Sequence, residues 1–285
     1  IPATITLAAT NTPKAKVGYA LGVLQAGAVG GSIFGPMIGG IMADSMGFRA
    51  IFSYTGIFIF GATVLIMFLV SEKFERQDEE EEKTSFVQDF KLIAARKPIL
   101  SIFAVATLIQ LALLGTLPLL SIFVQELSPS AENLAFLAGL TMAAMGFANM
   151  MASPQLGKLG DKYGSHRVLY FSIVGAALFM LPQAFVTELW QLIVLRFLLG
   201  LCLGGMMPSV NALVRHYAPA GMESRTYGYS NSALFLGNML GPTLGGYFAA
   251  SFGIRSIFVW ATLLLIGNAI WVRIMLLSNR RDRHK

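Results

Sequence analysis

The sequence predicts an all-α polytopic membrane protein made of two pseudo-repeated bundles, and three observations lead there. Of its 285 residues 55% are hydrophobic and only 13% charged, too few charges to solvate a globular surface of this size. The apolar residues are gathered into blocks at 17–43, 50–70, 99–125, 134–156, 168–187, 190–214, 226–250 and 254–277. Each is near the ~20 residues a helix needs to cross the hydrocarbon layer, which gives eight transmembrane helices; a β-barrel would instead show alternating segments of about ten residues. The third observation is a motif, Gly-x-x-x-Gly-Pro-x-x-Gly-Gly, that occurs twice at an offset of 206 residues.

The motif fixes the internal organisation. Its first copy holds Gly31, Gly35, Pro36, Gly39 and Gly40, its second Gly237, Gly241, Pro242, Gly245 and Gly246. The same offset carries Pro2 onto Pro208, Gly22 onto Gly228, Gly47 onto Gly253 and Arg49 onto Arg255. One duplicated unit accounts for all of these. The second copy reaches back to residue 99 whereas the first begins in mid-segment at Ile1, so a longer native chain is expected. The boundaries expected are 1–70 for the end of a first bundle, 71–98 for a linker, 99–278 for a complete six-helix bundle and 279–285 for a tail.

Charge gives the orientation. When the 21 Lys and Arg are sorted by alternate loops, seventeen share one side, among them Lys14, Lys16, Lys158, Lys162, Arg167, Arg215 and Arg225. The other side holds Arg49 and Arg255, while Arg196 and Arg273 lie inside spans. Basic loops are retained in the cytoplasm, so the linker and the C-terminus are expected there, and the net charge of +6 follows from topology without any nucleic-acid partner. The linker carries Glu79 to Glu82, and Phe86, Phe90 and Ile93 at helical spacing either form a surface helix or belong to a solvated connector.

Enzyme chemistry has little to work with. Cys202 is the sole cysteine, and His166, His216 and His284 fall in separate loops or the tail without metal-site spacing. There is no nucleophile elbow, phosphate loop or zinc-protease pair, so no cofactor or metal is expected. Every Asp and Glu falls outside the predicted spans, which leaves the chain without a membrane-embedded proton carrier.

Within the first motif Gly27, Gly31, Gly35 and Gly39 form a stripe that lets two backbones approach, and Pro36 removes one helix hydrogen bond and bends the segment. A hinge or packing seam is expected at both copies. Arg196, about two turns into its span, is either functional or snorkels to the interface. Asp161 stands where the positive N-terminal end of the helix beginning near Val17 would face it, unless it is a solvated loop acid. Gln110, Asn211, Asn231 and Asn238, with Met206, Met207 and Phe235, are polar and adaptable groups at membrane depth, suited to a substrate cavity or to interhelical hydrogen bonds.

Three of these segments carry a resemblance. Gly31 to Gly40 resembles the antiporter motif of helix five in drug:proton antiporters of the major facilitator superfamily. Gly157, Asp161, Lys162, Gly164 and Arg167 resemble its cytoplasmic signature between helices eight and nine, departing from it at Ser165 and His166. Arg196-Phe-Leu-Leu-Gly200 resembles the second-half version of its Arg motif. The resemblance covers the whole chain and implies eight of twelve helices, five to twelve. It further implies two bundles rocking about a central cavity, efflux of a lipophilic small molecule driven by the proton gradient, and a monomer in the bacterial inner membrane. An uptake symporter on the same fold and a non-transporting remnant are the alternatives.

Overall fold

The structure, a computed structural model, describes residues 2–46, 48–69, 92–93, 95–129, 134–219 and 221–277. Its described helices are α1 (Pro2–Asn11), α2 (Val17–Met46), α3 (Phe48–Leu69), α4 (Lys97–Thr116), α5 (Leu120–Leu127), α6 (Leu134–Tyr163), α7 (Ser165–Met180), α8 (Leu189–Tyr217), α9 (Glu223–Phe252) and α10 (Ser256–Val272). Among the described residues there is no strand. Without water in a bilayer core every backbone N–H and C=O needs an internal partner, and continuous helices supply it.

Six helices are long and apolar enough to cross a membrane, those containing Val17–Phe34, Pro98–Thr116, Phe136–Tyr163, Ser165–Phe185, Leu189–Tyr217 and Ser256–Met275. The expected span 50–70 is helix α3, Phe48–Leu69, whose stretch Phe52–Leu65 is apolar. Helix α9 has 30 residues, but Ser224, Ser230, Asn231, Ser232 and Asn238 dilute its apolar character, and of these only Ser230 is buried.

Local chemistry corrects several boundaries. The expected span 99–125 is broken: α4 stops at Thr116, and α5 begins after a turn that holds Pro118, which has no N–H to give to the ladder. The basic loop expected at 157–167 is mostly helix, since α6 runs through Asp161 to Tyr163. The chain then reverses at Gly164 alone, whose φ of 97° is a left-handed conformation open to glycine. Asp44 likewise falls within the last turn of α2, not in a loop. Glu188 and Gln191 close a capping box at the start of α8. The linker around Glu79 to Glu82, Phe86 and Phe90, and the tail 279–285, lie outside the described residues; Ile93 is buried.

Close packing organises the bundle. The most extensive contact joins α6 and α8, followed by α2 with α6 and α4 with α9, while α10 bridges α4 and α7. Small residues sit at each crossing. A Cβ on Gly200 or Gly204 of α8 would strike the backbone of α6 at Met145 or Ser153, and one on Gly175 of α7 would strike the Cys202 sulfur. Between lipid-solvated helices this backbone approach replaces the hydrophobic drive.

The second motif is such a seam. Gly237, Gly241 and Gly245 are buried, and Cβ atoms there would meet Thr107, Leu111 and Gly115 of α4. Thr107 Oγ1 donates to the Ala233 carbonyl at 2.8 Å, and Gln110 Nε2 to Asn238 Oδ1 at 2.8 Å, fastening the same pair. Gly246, one residue on, faces open space. Substituting Gly245→Ala is therefore expected to cost about 1–3 kcal/mol through overpacking, while Gly246→Ala changes little. Thermal unfolding of the two variants in detergent checks this; equal melting temperatures would contradict the seam.

Candidate functional site

The site grows from how α2 lies on α6. Read at every fourth residue, α2 carries two stripes of small residues, Gly18-Gly22-Ala26-Gly30 and Gly27-Gly31-Gly35-Gly39, turned about 100° apart by the helix period. The first stripe faces α6. A Cβ on Gly18 would strike the Gly157 carbonyl, one on Gly22 would meet the Ser153 carbonyl and Pro154, and one on Gly30 would lie 3.1 Å from Met150 Sδ. Contact continues to Gly146, which abuts Ile33. The two helices therefore run antiparallel along a seam whose α6 side is Gly146, Met150, Ser153 and Gly157.

The stripe read from the sequence as the seam is the other one. Gly27 and Gly31 are exposed, with nothing near an added Cβ. The packing of Gly35, Pro36, Gly39 and Gly40 lies outside the described residues.

One turn beyond Gly157, Asp161 ends the seam. Its Oδ1 accepts the Gly18 N–H at 2.6 Å and its Oδ2 the Tyr19 N–H at 2.8 Å. These are first-turn amides of α2, which no intrahelical carbonyl satisfies. The carboxylate completes the helix start and lies at its positive end. Hydrogen bonds to a charged group contribute about 1.5–3 kcal/mol each. Asp161 is thus not a freely solvated acid. The approach depends on Gly18 and Gly157, because a side chain on either would hold the carboxylate off.

A second charge works in the opposite sense on the preceding helix. Arg215 near the end of α8 donates from Nη1 to the Thr12 carbonyl at 3.1 Å, just past the last turn of α1, where the helix dipole is negative. The short turn between α1 and α2 is thus held by an anion from α6 at one side and a cation from α8 at the other. Asp161 also lines two cavities. One, of about 600 Å³, includes His166, Arg215, His216 and Glu223; the other, of about 450 Å³, includes Lys16, Lys158 and Lys162. Lys162 Nζ lies 5.1 Å from the Tyr163 ring. Gly164 makes the turn that seats buried His166 beneath it, and Arg167 is exposed.

The remaining candidates separate. Arg196 does not snorkel; it is 1% exposed. Its Nη1 approaches Met145 Sδ at 3.7 Å, its guanidinium lies 5.8 Å from the Phe258 ring, and Nε and Nη2 have no partner. Gln110 and Asn238 are spent on each other. Asn211 offers its carbonyl to the Tyr227 hydroxyl at 2.9 Å, Met206 is buried in α8, Met207 and Asn231 are half-buried, and Phe235 is exposed. The structure brings only Gln110 and Asn238 of this group into contact through their side chains. At the opposite end Arg255 reaches Glu126 at 3.1 Å and the Ala184 and Val186 carbonyls at 3.2 and 3.0 Å. Arg215, Gly18 and Ser153, the partner of Gly22, were not singled out in the sequence, although the four-residue spacing of small residues on α2 was there to find.

A bundle of long apolar helices with charged contacts at one basic end is that of a multi-pass membrane protein. The Major Facilitator Superfamily profile matches residues 1–149 and 131–285, and the chain belongs to that family. It is 36% identical over 271 residues to the multidrug resistance protein MdtG of Serratia proteamaculans, covering 95% of this chain and 66% of that protein. It is 35% identical over 284 residues to MdtG of Dickeya zeae, covering 98% and 69%. With the uncharacterized MFS-type transporter YuxJ of Bacillus subtilis it shares 36% over 277 residues, covering 96% and 70%. The chain spans about two thirds of the length of these relatives.

Two outcomes follow. In Asp161→Asn the first-turn amides of α2 are expected to exchange with deuterium roughly tenfold faster or more, the equivalent of ~1.4 kcal/mol or above. Unchanged exchange in the peptide spanning Gly18 and Tyr19 would contradict the clamp. Because a buried charge with unpaired N–H groups is costly, Arg196→Met is expected to leave unfolding stability equal, or higher by about 1–4 kcal/mol. A clear loss in detergent melts would mean that the charge is compensated by more than Met145 and Phe258.

Proposed function

We propose that the protein bearing this chain is a secondary transporter that exports lipophilic small molecules across the bacterial inner membrane by alternating access. The observation that carries the proposal is the clamp. Asp161 and Arg215 belong to the second repeat, and the α1–α2 turn they hold belongs to the first. A tie between repeats, made of a few charge-assisted bonds at one end, suits an element that forms in one state and breaks in the other. In this reading the basic end is cytoplasmic, the state described is the one closed there, and the protein works as a monomer.

The direction and the cargo rest on likeness. Curated relatives at 35–36% identity are named multidrug resistance proteins, and the first Gly-Pro motif resembles that of antiporters. Proton drive belongs to the same proposal. Among the described residues no carboxylate lies deep in a span, so the proton-carrying group is assigned to the length of the relatives that this sequence does not cover.

Dye accumulation in cells expressing the complete protein tests this. Export is expected to lower accumulation several-fold and to vanish when the proton gradient is collapsed. Asp161→Asn is expected to abolish the effect while the protein still inserts. Raised accumulation would identify an uptake symporter instead, and full transport by Asp161→Asn would overturn the gating role.

A further inference from the structure

Between α6, α7 and α8 lies a groove of about 750 Å³ whose lining includes neither Asp161 nor Arg215. Its walls are apolar and open. Leu159 of α6 and Phe171 of α7 line it although they are 42% and 69% exposed. Leu201 and Cys202 of α8 lie at its deep end. At the basic end the mouth is framed by Tyr163 and Arg167. From Arg167 to Gly175, whose Cβ position abuts Cys202, α7 climbs roughly 12 Å at ~1.5 Å per residue. That is close to the ~15 Å of one leaflet's hydrocarbon, half of the ~30 Å core.

The groove therefore has the two chemistries of a phospholipid in the right order. An apolar slot of leaflet depth suits an acyl chain, and a guanidinium at its rim suits a phosphate, which its planar fork binds with two parallel N–H donors. Tyr163 beside it is amphipathic, the kind of side chain that settles at headgroup level. Lys162 and Lys158 line the neighbouring cavity beside Asp161 and not the groove, so Arg167 is the cation at its rim, and basic pockets between transmembrane helices attract anionic headgroups. A zwitterionic lipid offers the phosphate together with a cation that this rim repels. We propose that the groove between α6, α7 and α8 is a binding site for one anionic phospholipid, its phosphate on Arg167 and an acyl chain along Leu159 and Phe171 toward Cys202.

Native mass spectrometry of the chain, purified from bilayers of equal parts phosphatidylglycerol and phosphatidylcholine, tests the site. The unmodified chain is expected to retain phosphatidylglycerol several-fold over phosphatidylcholine. Arg167→Gln is expected to lose that preference and Arg167→Lys to keep most of it, with an unchanged elution profile showing that both variants fold. Excess soluble glycerophosphate is expected not to displace the lipid, because it has no chain for the groove. Equal retention of the two lipids, a preference that survives Arg167→Gln, or displacement by glycerophosphate would each overturn the proposal.

Discussion

Close backbone approach between helices is the constraint on which the rest of this structure depends. In a bilayer the lipid tails are as apolar as leucine, so helices gain little by burying apolar side chains against one another. They gain by removing side chains. The α4–α9 contact exists because Gly237, Gly241 and Gly245 bare one face of α9, and the α6–α8 contact because Gly200 and Gly204 do the same for α8. Hydrogen bonds such as Gln110 to Asn238 become geometrically available only after that approach. The seam between α2 and α6 follows the same rule, but ends in charge instead of amide.

That ending sets the α2–α6 seam apart, and in the proposed cycle it is the seam that releases. Within the second bundle the α4–α9 seam is fastened by amide and hydroxyl hydrogen bonds, and the buried Arg196 beside the α6–α8 seam meets Met145 and Phe258. The α2–α6 seam terminates at Asp161, where two first-turn amides meet one carboxylate, and the Arg215 contact to Thr12 lies beside it. Both charges line a cavity of about 600 Å³. In the proposed cycle these charge-assisted bonds are the ones that form in one state and break in the other.

Much of this was legible from residue order. Composition and block length define the helices, the 206-residue repeat defines two equivalent Gly-Pro segments, and the distribution of Lys and Arg marks a basic end. The opposition of Asp161 to the start of α2 also follows from helix polarity. What periodicity left ambiguous was the face. Helix α2 bears two small-residue stripes offset by one residue, and the motif drew attention to Gly27 and Gly31, whereas Gly18, Gly22 and Gly30 make the contacts. Only the partner helix decides between them. Arg215 escaped notice because a cation near a helix end is ordinary until a carbonyl from elsewhere is placed against it. Arg196 is the reverse case: its depth was readable, but its enclosure by Met145 and Phe258 needed the packing of three helices.

The most direct test of the account is the distance between the two sides of the clamp. Spin labels at the exposed positions Lys16 and Lys158 report it by pulsed electron resonance in lipid bilayers. The account requires one short distance when Asp161 is intact and a second, longer population once Asp161→Asn removes the carboxylate. A single short distance unaffected by that substitution would show that glycine packing alone holds α2 on α6, and that the charge at its end is not what the two repeats open and close upon.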